Sequence, residues 1–481
     1  MKFSALVAAA TLFTGDAFAQ TITLNTRLRD AVSIPSPSWI AGNAGYRTAT
    51  NRYLVQTMGS GLAIVDTTDP ANSFVVRTIT PLNVKEVKVY GQYAYATTDG
   101  GPTHVVSLAN PATAAVVNSL ALGAHTLQID ATRGLLYLNR PFEGLRILDL
   151  NANPVNPPQV AAYALPDIHD CHPAGNLCYV AGGYVTDCHI LDVSALPTVT
   201  TIARFTVPGG YLHDVDVYTH TDGRRYLFAC TELPPDTWLK IYDITVPTAA
   251  TQVGQWWTNQ SSVIHNVFLK GGYAYVAYYK DGLRVLDLSN PAAPQQVGIF
   301  DVNATNVPGG TYTGTWDVYP YHDAIYLDEM FDTTGPGTQG AWIVDFFPGF
   351  GNGCAGTGGV TPTQWWSYGP PSPGNAEFAL RLDDALPGAV AMLLVGFSNS
   401  AWGSYSLPLN LNGFGGDGCT LYTSPDFVQL LTTDGNGRAS FPLPIPAAIG
   451  GVVWCQWGVL DTGATNPLDL ATTNGGKLIL K

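Results

Sequence analysis

Four histidines recur in a single structural phase. His125 (HTLQID), His169 (HDCH), His213 (HDVDV) and His265 (HNVFL) each open a run of strand-forming residues, at intervals of 44, 44 and 52 residues. Trp316 (WDVYP) takes the same place in a later copy, and Glu86 (EVKVY) is expected to take it in an earlier one. If these runs are equivalent strands of a repeat, their first side chains gather around one axis. Imidazoles facing one cavity can bind a transition metal, with copper or zinc favoured by nitrogen ligands. His125, His169, His213, His265 and Trp316 are therefore the candidate ligand-binding set, and the four histidines the candidate metal ligands. The competing expectation is structural. Each imidazole would lock one strand to the next through backbone or through the following residue, Asp170, Asp214, Asn266 or Asp317.

A second cluster is acidic. Asp328, Glu329 and Asp332 place three carboxylates within five residues, a set that could hold Ca²⁺ together with loop carbonyls. It misses the EF-hand spacing, and a solvated acidic loop is the simpler expectation. The pairs Trp256-Trp257 and Trp365-Trp366 are candidate carbohydrate platforms if exposed. No HExxH, GxSxG, strand-borne GxGxxG or P-loop occurs, so no catalytic residue is assigned.

The elements that must position these residues form a repeat. A Leu-x-Ile/Val-hydrophobic-Asp strand followed by a Pro-containing turn appears as LAIVDTTDP, LRILDLNANP, CHILDVSALP, LKIYDITVP, LRVLDLSNP and WIVDFFP. Its Asp falls at 66, 149, 192, 243, 287 and 345, with Ser107 in its place in VVSLANP. Seven copies with a period in the low forties predict four-stranded propeller blades, since β-helix coils are much shorter. Each Asp is expected to cap its turn by accepting backbone N–H groups. Residues 21–41 are expected to supply the strand that closes the ring.

Composition and the chain ends bound the rest. Only 12% of residues are charged, and 51 glycines and 34 prolines punctuate the chain, which suits an all-β protein. The net charge of -14 argues against nucleic acid as a partner. Lys2, the apolar run Ala5–Phe13 and Ala17-Phe18-Ala19 read as a signal peptide over 1–19, and no run is long enough to span a bilayer. The propeller is placed at 20–348, a Gly-rich linker at 349–353, and a β-sandwich module at 354–481, where about eight short strands alternate. Seven cysteines in an exported chain are expected to give disulfides, with at least one thiol left over.

The strands LAIVD, LRILD, CHILD and LRVLD resemble the LVIVD repeat. Together with AHTLQIDATRGLLYLNR, YLHDVDVYTHTDGRRYLFACTE and YLDEMFD, they resemble the choice-of-anchor B family of exported bacterial β-propeller proteins over about residues 40–348. The resemblance implies an exported, surface-associated protein and names no reaction. The expected fold is thus all-β, a seven-bladed β-propeller followed by a β-sandwich-like domain. The expected function is a non-enzymatic binding or scaffold protein, secreted, periplasmic or at the cell surface, for an extracellular protein, glycan or small ligand. The alternative is a metal-dependent hydrolase or oxidoreductase built on the histidine ring.

Overall fold

The computed structural model describes residues 22–35, 39–258, 261–301, 312–322, 324–330 and 340–480, the side chains of 329 and 330 aside. The predicted signal peptide lies outside them. Two compact units result, one ending at Val344 apart from the short segments 270–272 and 321–324, the other running from Asp345 onward.

The first unit is a seven-bladed β-propeller. Each blade is built on four antiparallel strands, in chain order from the inner strand outward in the first six. The inner strands are Asn43–Arg47, Glu86–Tyr90, Thr126–Asp130, Asp170–Ala174, Leu212–Thr219, Val267–Lys270 and Gly314–Tyr321. The strand Ile22–Leu24 adds a fifth member to blade six. Blade seven takes its outer strand from Thr26–Ser33, which lies beside Gly340–Phe346. The N-terminal segment therefore closes the ring, as the sequence predicts.

Blades form because their strands are apolar on both faces. The core is divided into clusters, each shared by two consecutive blades. Val55 and Ile64 of blade one meet Val87 and Val106 of blade two. Phe228 and Ile241 of blade five meet Val276 and Leu286 of blade six. The hairpins use the turn residues they require: Gly271 and Gly272, both at positive φ (59° and 79°), join the inner and second strands of blade six.

The repeated motif has a local purpose. In five blades a bulge falls inside it, at Ile64/Val65, Ile147/Leu148, Ile190/Leu191, Ile241/Tyr242 and Val285/Leu286. A bulge bends the strand and re-aims the residues after it. The Asp that follows then accepts the N–H two residues on. The distances are 2.9 Å for Asp66 to Thr68, 2.9 Å for Asp149 to Asn151 and 2.8 Å for Asp192 to Ser194. Asp243 to Thr245 and Asp287 to Ser289 follow at 2.9 and 2.7 Å.

The second unit is a β-sandwich-like module. One sheet contains Val390–Gly396, Phe427–Thr432, Gly451–Leu460 and Gly475–Leu480, and another contains Thr363–Ser367, Ala379–Asp383 and Ala439–Pro442. Cys354 and Cys419 form a disulfide here. Cys171, Cys178, Cys188, Cys230 and Cys455 are unpaired and buried, so they serve as small apolar side chains.

Candidate functional site

In four blades the residue just before the inner strand is fixed by a backbone hydrogen bond to the second strand. The backbone N–H of His125 donates to Asn139 O at 2.9 Å, His169 to Ala181 O at 2.8 Å and His265 to Ala277 O at 3.0 Å. Lys85 makes the same bond to Thr97 O at 2.8 Å. Lys85 and not Glu86 therefore stands in the histidine phase. Both residues are charged and adjacent, and a strand slip of one residue exchanges faces, which the sequence alone does not resolve.

These side chains touch in succession. Ring centroids are 4.6 Å apart for His125 and His169, 3.8 Å for His169 and His213, 4.1 Å for His213 and His265, and 4.1 Å for His265 and Trp316. Lys85 completes the circle, with Nζ 5.1 Å from the Trp316 ring centroid and 3.5 Å from His125 Nε2. All five predicted residues thus stand side by side in one ring.

The two nitrogens of each imidazole have different surroundings. His169 donates from Nδ1 to His213 O at 2.7 Å, and His265 from Nδ1 to Trp316 O at 2.6 Å. Each acceptor is the carbonyl of the next blade's ring residue. The blade lock expected from sequence exists, with backbone and not the following carboxylate as partner. His125 Nδ1 instead lies 2.8 Å from Asp99. Burial, with smaller contributions from the neighbouring imidazoles and Lys85, holds His169 and His213 well below the usual imidazole range. Burial pushes His265 down to about 3 despite its backbone bond. These three are neutral at physiological pH.

Only part of the ring converges as ligands. Among the described residues, His213, His265 and Glu232 each offer a ligand atom, and the three atoms lie within 4.8 Å of one another. Sequence reasoning missed Glu232. It follows the second strand of blade five, Arg225–Thr231, in the lengthened TELPPDTW loop, and the lengthening was its one signal. Tyr279 donates its hydroxyl to Glu232 Oε1 at 2.7 Å, and burial pushes the carboxyl up to about 7.

Two aromatic series climb from the ring to the surface. Tyr184 is 66% exposed and lies 4.6 Å from Tyr211, which lies 5.3 Å from His169. Tyr312 is 39% exposed and lies 5.6 Å from Tyr279, which lies 4.9 Å from His265. The predicted tryptophan platforms are not of this kind. Trp365 and Trp366 are buried, Trp257 stacks on Trp238, and Trp256 packs edge-on against Tyr278. Their bulk is used in packing because large aromatics dominate core energetics.

One residue further along the chain from each ring position stand Glu86, Thr126, Asp170, Asp214, Asn266 and Asp317. Their polar heads join neighbouring blades: Asp214 accepts from Val267 N at 2.9 Å, and Asp317 from Asn43 N at 3.3 Å. Asp328 belongs to this set and not to a solvated loop. It is fully buried in the strand Ala324–Met330 and accepts the N–H groups of Trp316 and Asp317 at 3.2 and 2.8 Å and the Asn43 side-chain amide at 3.2 Å. Those donors occupy the carboxylate that the calcium expectation assigned to a cation. The Glu329 side chain and Asp332 lie outside the described residues.

The LVIVD repeat model matches residues 83–119 and 264–302. Both segments begin just before a ring position, Lys85 and His265, so the repeat includes the position while its residue type varies. Among solved structures, the β-propeller domain of Cps50 (Swd1) from Myceliophteria thermophila is 11% identical, with a TM-score of 0.47, covering 66% of this chain and 99% of that one. The WD40 β-propeller domain of Doa1 is 12% identical, with a TM-score of 0.48, covering 66% and 96%. A comparison with curated proteins finds no match.

Proposed function

We propose that this propeller is a binding protein whose ligand sits at the channel mouth, above the ring of Lys85, His125, His169, His213, His265 and Trp316. The observation that carries the reading is the pair of aromatic series ending in exposed Tyr184 and Tyr312. Ligand sites combine aromatic walls with a few placed polar groups, and here the walls rise from a polar floor. A glycan end or a small molecule with one apolar face and polar edges fits that chemistry. A glycan array and a small-molecule thermal-shift panel test it. A ligand found with the native protein should bind at least about tenfold more weakly to Tyr184→Ala/Tyr312→Ala, with the melting temperature of the free protein unchanged. Undiminished binding by the double variant would refute the site.

The proposal includes export to an oxidising compartment, supported by the Lys2 to Ala19 leader pattern and by the Cys354–Cys419 disulfide. The first residue of the mature chain recovered from outside the cytoplasm should be Gln20. A chain recovered only from the cytoplasm with its leader intact would count against export. A second reading, a metal-dependent hydrolase or oxidoreductase, is favoured by one observation, the convergence of His213, Glu232 and His265.

A further inference from the structure

The floor of the channel mouth goes beyond a surface for ligands. We propose that His213, His265 and Glu232 bind one divalent first-row transition ion of the zinc or copper class. The ion would leave at least one coordination position open toward the mouth.

Four observations support this. The three donor atoms already lie within 4.8 Å of one another before any ion is considered. His213 Nε2 and Glu232 Oε2 are 3.7 Å apart, too far for a hydrogen bond. Two ligands at about 2.0–2.2 Å from a tetrahedral ion stand about 3.3–3.6 Å apart, so this pair needs only a small closure to share one. His265 is 1% exposed, and its Nδ1 is committed to the Trp316 carbonyl, which leaves Nε2 as a lone pair. That Nε2 has no hydrogen-bond partner among the described residues, a costly state for a buried polar atom unless something binds it.

The second layer is in place for two of the three ligands, while His213 Nδ1 has no hydrogen-bond partner among the described residues. Metal-bound histidines donate their other N–H to a carbonyl or carboxylate, and bound carboxylates are themselves hydrogen-bonded. The Trp316 carbonyl does the first for His265, and the Tyr279 hydroxyl does the second for Glu232. Two imidazoles and one carboxylate suit borderline ions such as zinc and copper better than Ca²⁺ or Mg²⁺, which prefer oxygen. The opposing charge is Lys85, which is directed to Trp316 and His125. His125 lies outside the converging group, engaged by Asp99.

The test uses the full chain, stripped with a chelator and titrated with Zn²⁺ and Cu²⁺ by calorimetry, with metal per chain measured by elemental analysis. One ion per chain is expected. Glu232→Gln and His265→Gln should each abolish it or weaken it at least tenfold, while His125→Gln keeps it. Tyr279→Phe, which leaves all three ligands in place, should weaken it by about ten- to a hundredfold; this variant also serves if a ligand variant fails to fold. No stoichiometric ion in the native protein would overturn the proposal. So would equal loss in His125→Gln, or affinity unchanged in both Glu232→Gln and Tyr279→Phe. Ligand capture lost in Tyr184→Ala/Tyr312→Ala with the ion retained would separate the two sites.

Discussion

At the scale of single residues, the channel lining sets burial against charge, and the outcome differs from group to group. Glu86 is buried beside Lys88. Burial raises its carboxyl from an ordinary 4.5 to about 7, although Lys88 pulls it down. Burial opposes the charge of Lys88 in turn, but Glu86, Asp317 and Asp170 together hold it above its usual value. The consequence for stability has a definite sign. The native Glu86 keeps a proton that the unfolded chain has released, so its contribution is full below about pH 4.5 and is lost as pH rises through about 7. The loss is on the order of 3 kcal/mol, from a shift of roughly 2.5 pH units. Glu86→Gln cannot titrate. Thermal melts at pH 5 and pH 8 should therefore show a smaller loss of stability for the variant than for the native protein over that interval. Parallel losses would mean that Glu86 is ionised in the native state already at pH 5. The residue scale was also the least legible in the sequence. The histidine phase was visible because His125, His169 and His213 recur at an identical spacing. Lys85 was not, because nothing in Lys85-Glu86 tells which faces the ring. Glu232 was not, because a single acid in a lengthened loop has no period.

At the scale of elements, the repeat motif was legible because it encodes a mechanical unit. The bulge inside Leu-x-Ile-x-Asp turns the Asp toward the next N–H groups, and that bond stops the strand. A capping bond of this kind contributes about 1 kcal/mol, and its recurrence in five blades keeps the third strands in one register. The same element logic explains the misreadings. Asp328 looked like part of an acidic loop because YLDEMFD is locally acidic. Its strand places it opposite the inner strand of blade seven, where the N–H groups of Trp316 and Asp317 and the side-chain amides of Asn43 and Gln56 reach it. The tryptophan pairs were candidate carbohydrate platforms only if exposed, and adjacent residues in a strand point to opposite faces. Trp365 and Trp366 are nevertheless both covered, since their strand is buried on both sides. Patterns of period two and of forty were readable in the chain; which side of a strand is covered by another layer was not.

At the scale of the whole molecule, a ring of blades is stable only if its first and last members are joined, because an open ring leaves a strand edge unpaired. Here the join is one strand, Thr26–Ser33, laid beside Gly340–Phe346. Gly340 is needed there: a side chain at this position would run into the backbone carbonyl of Val32. Ser73 N also donates to Asp30 at 2.7 Å, which ties the closing strand to the far end of blade one. Val32 and Ile34 are buried, and their burial alone contributes on the order of 3 kcal/mol or more. Deleting residues 22–34 should lower the melting temperature and expose the edge of Gly340–Phe346. Association that grows with concentration should then appear on size-exclusion chromatography. A synthetic peptide of residues 22–34 added in trans should restore part of the stability, because the missing element is a strand and not a folding signal. A truncated chain that melts like the native protein and stays monomeric would show that the closure is dispensable. The ring of side chains at the mouth would then owe its geometry to the blade-to-blade bonds of His169, His265 and Asp214 alone.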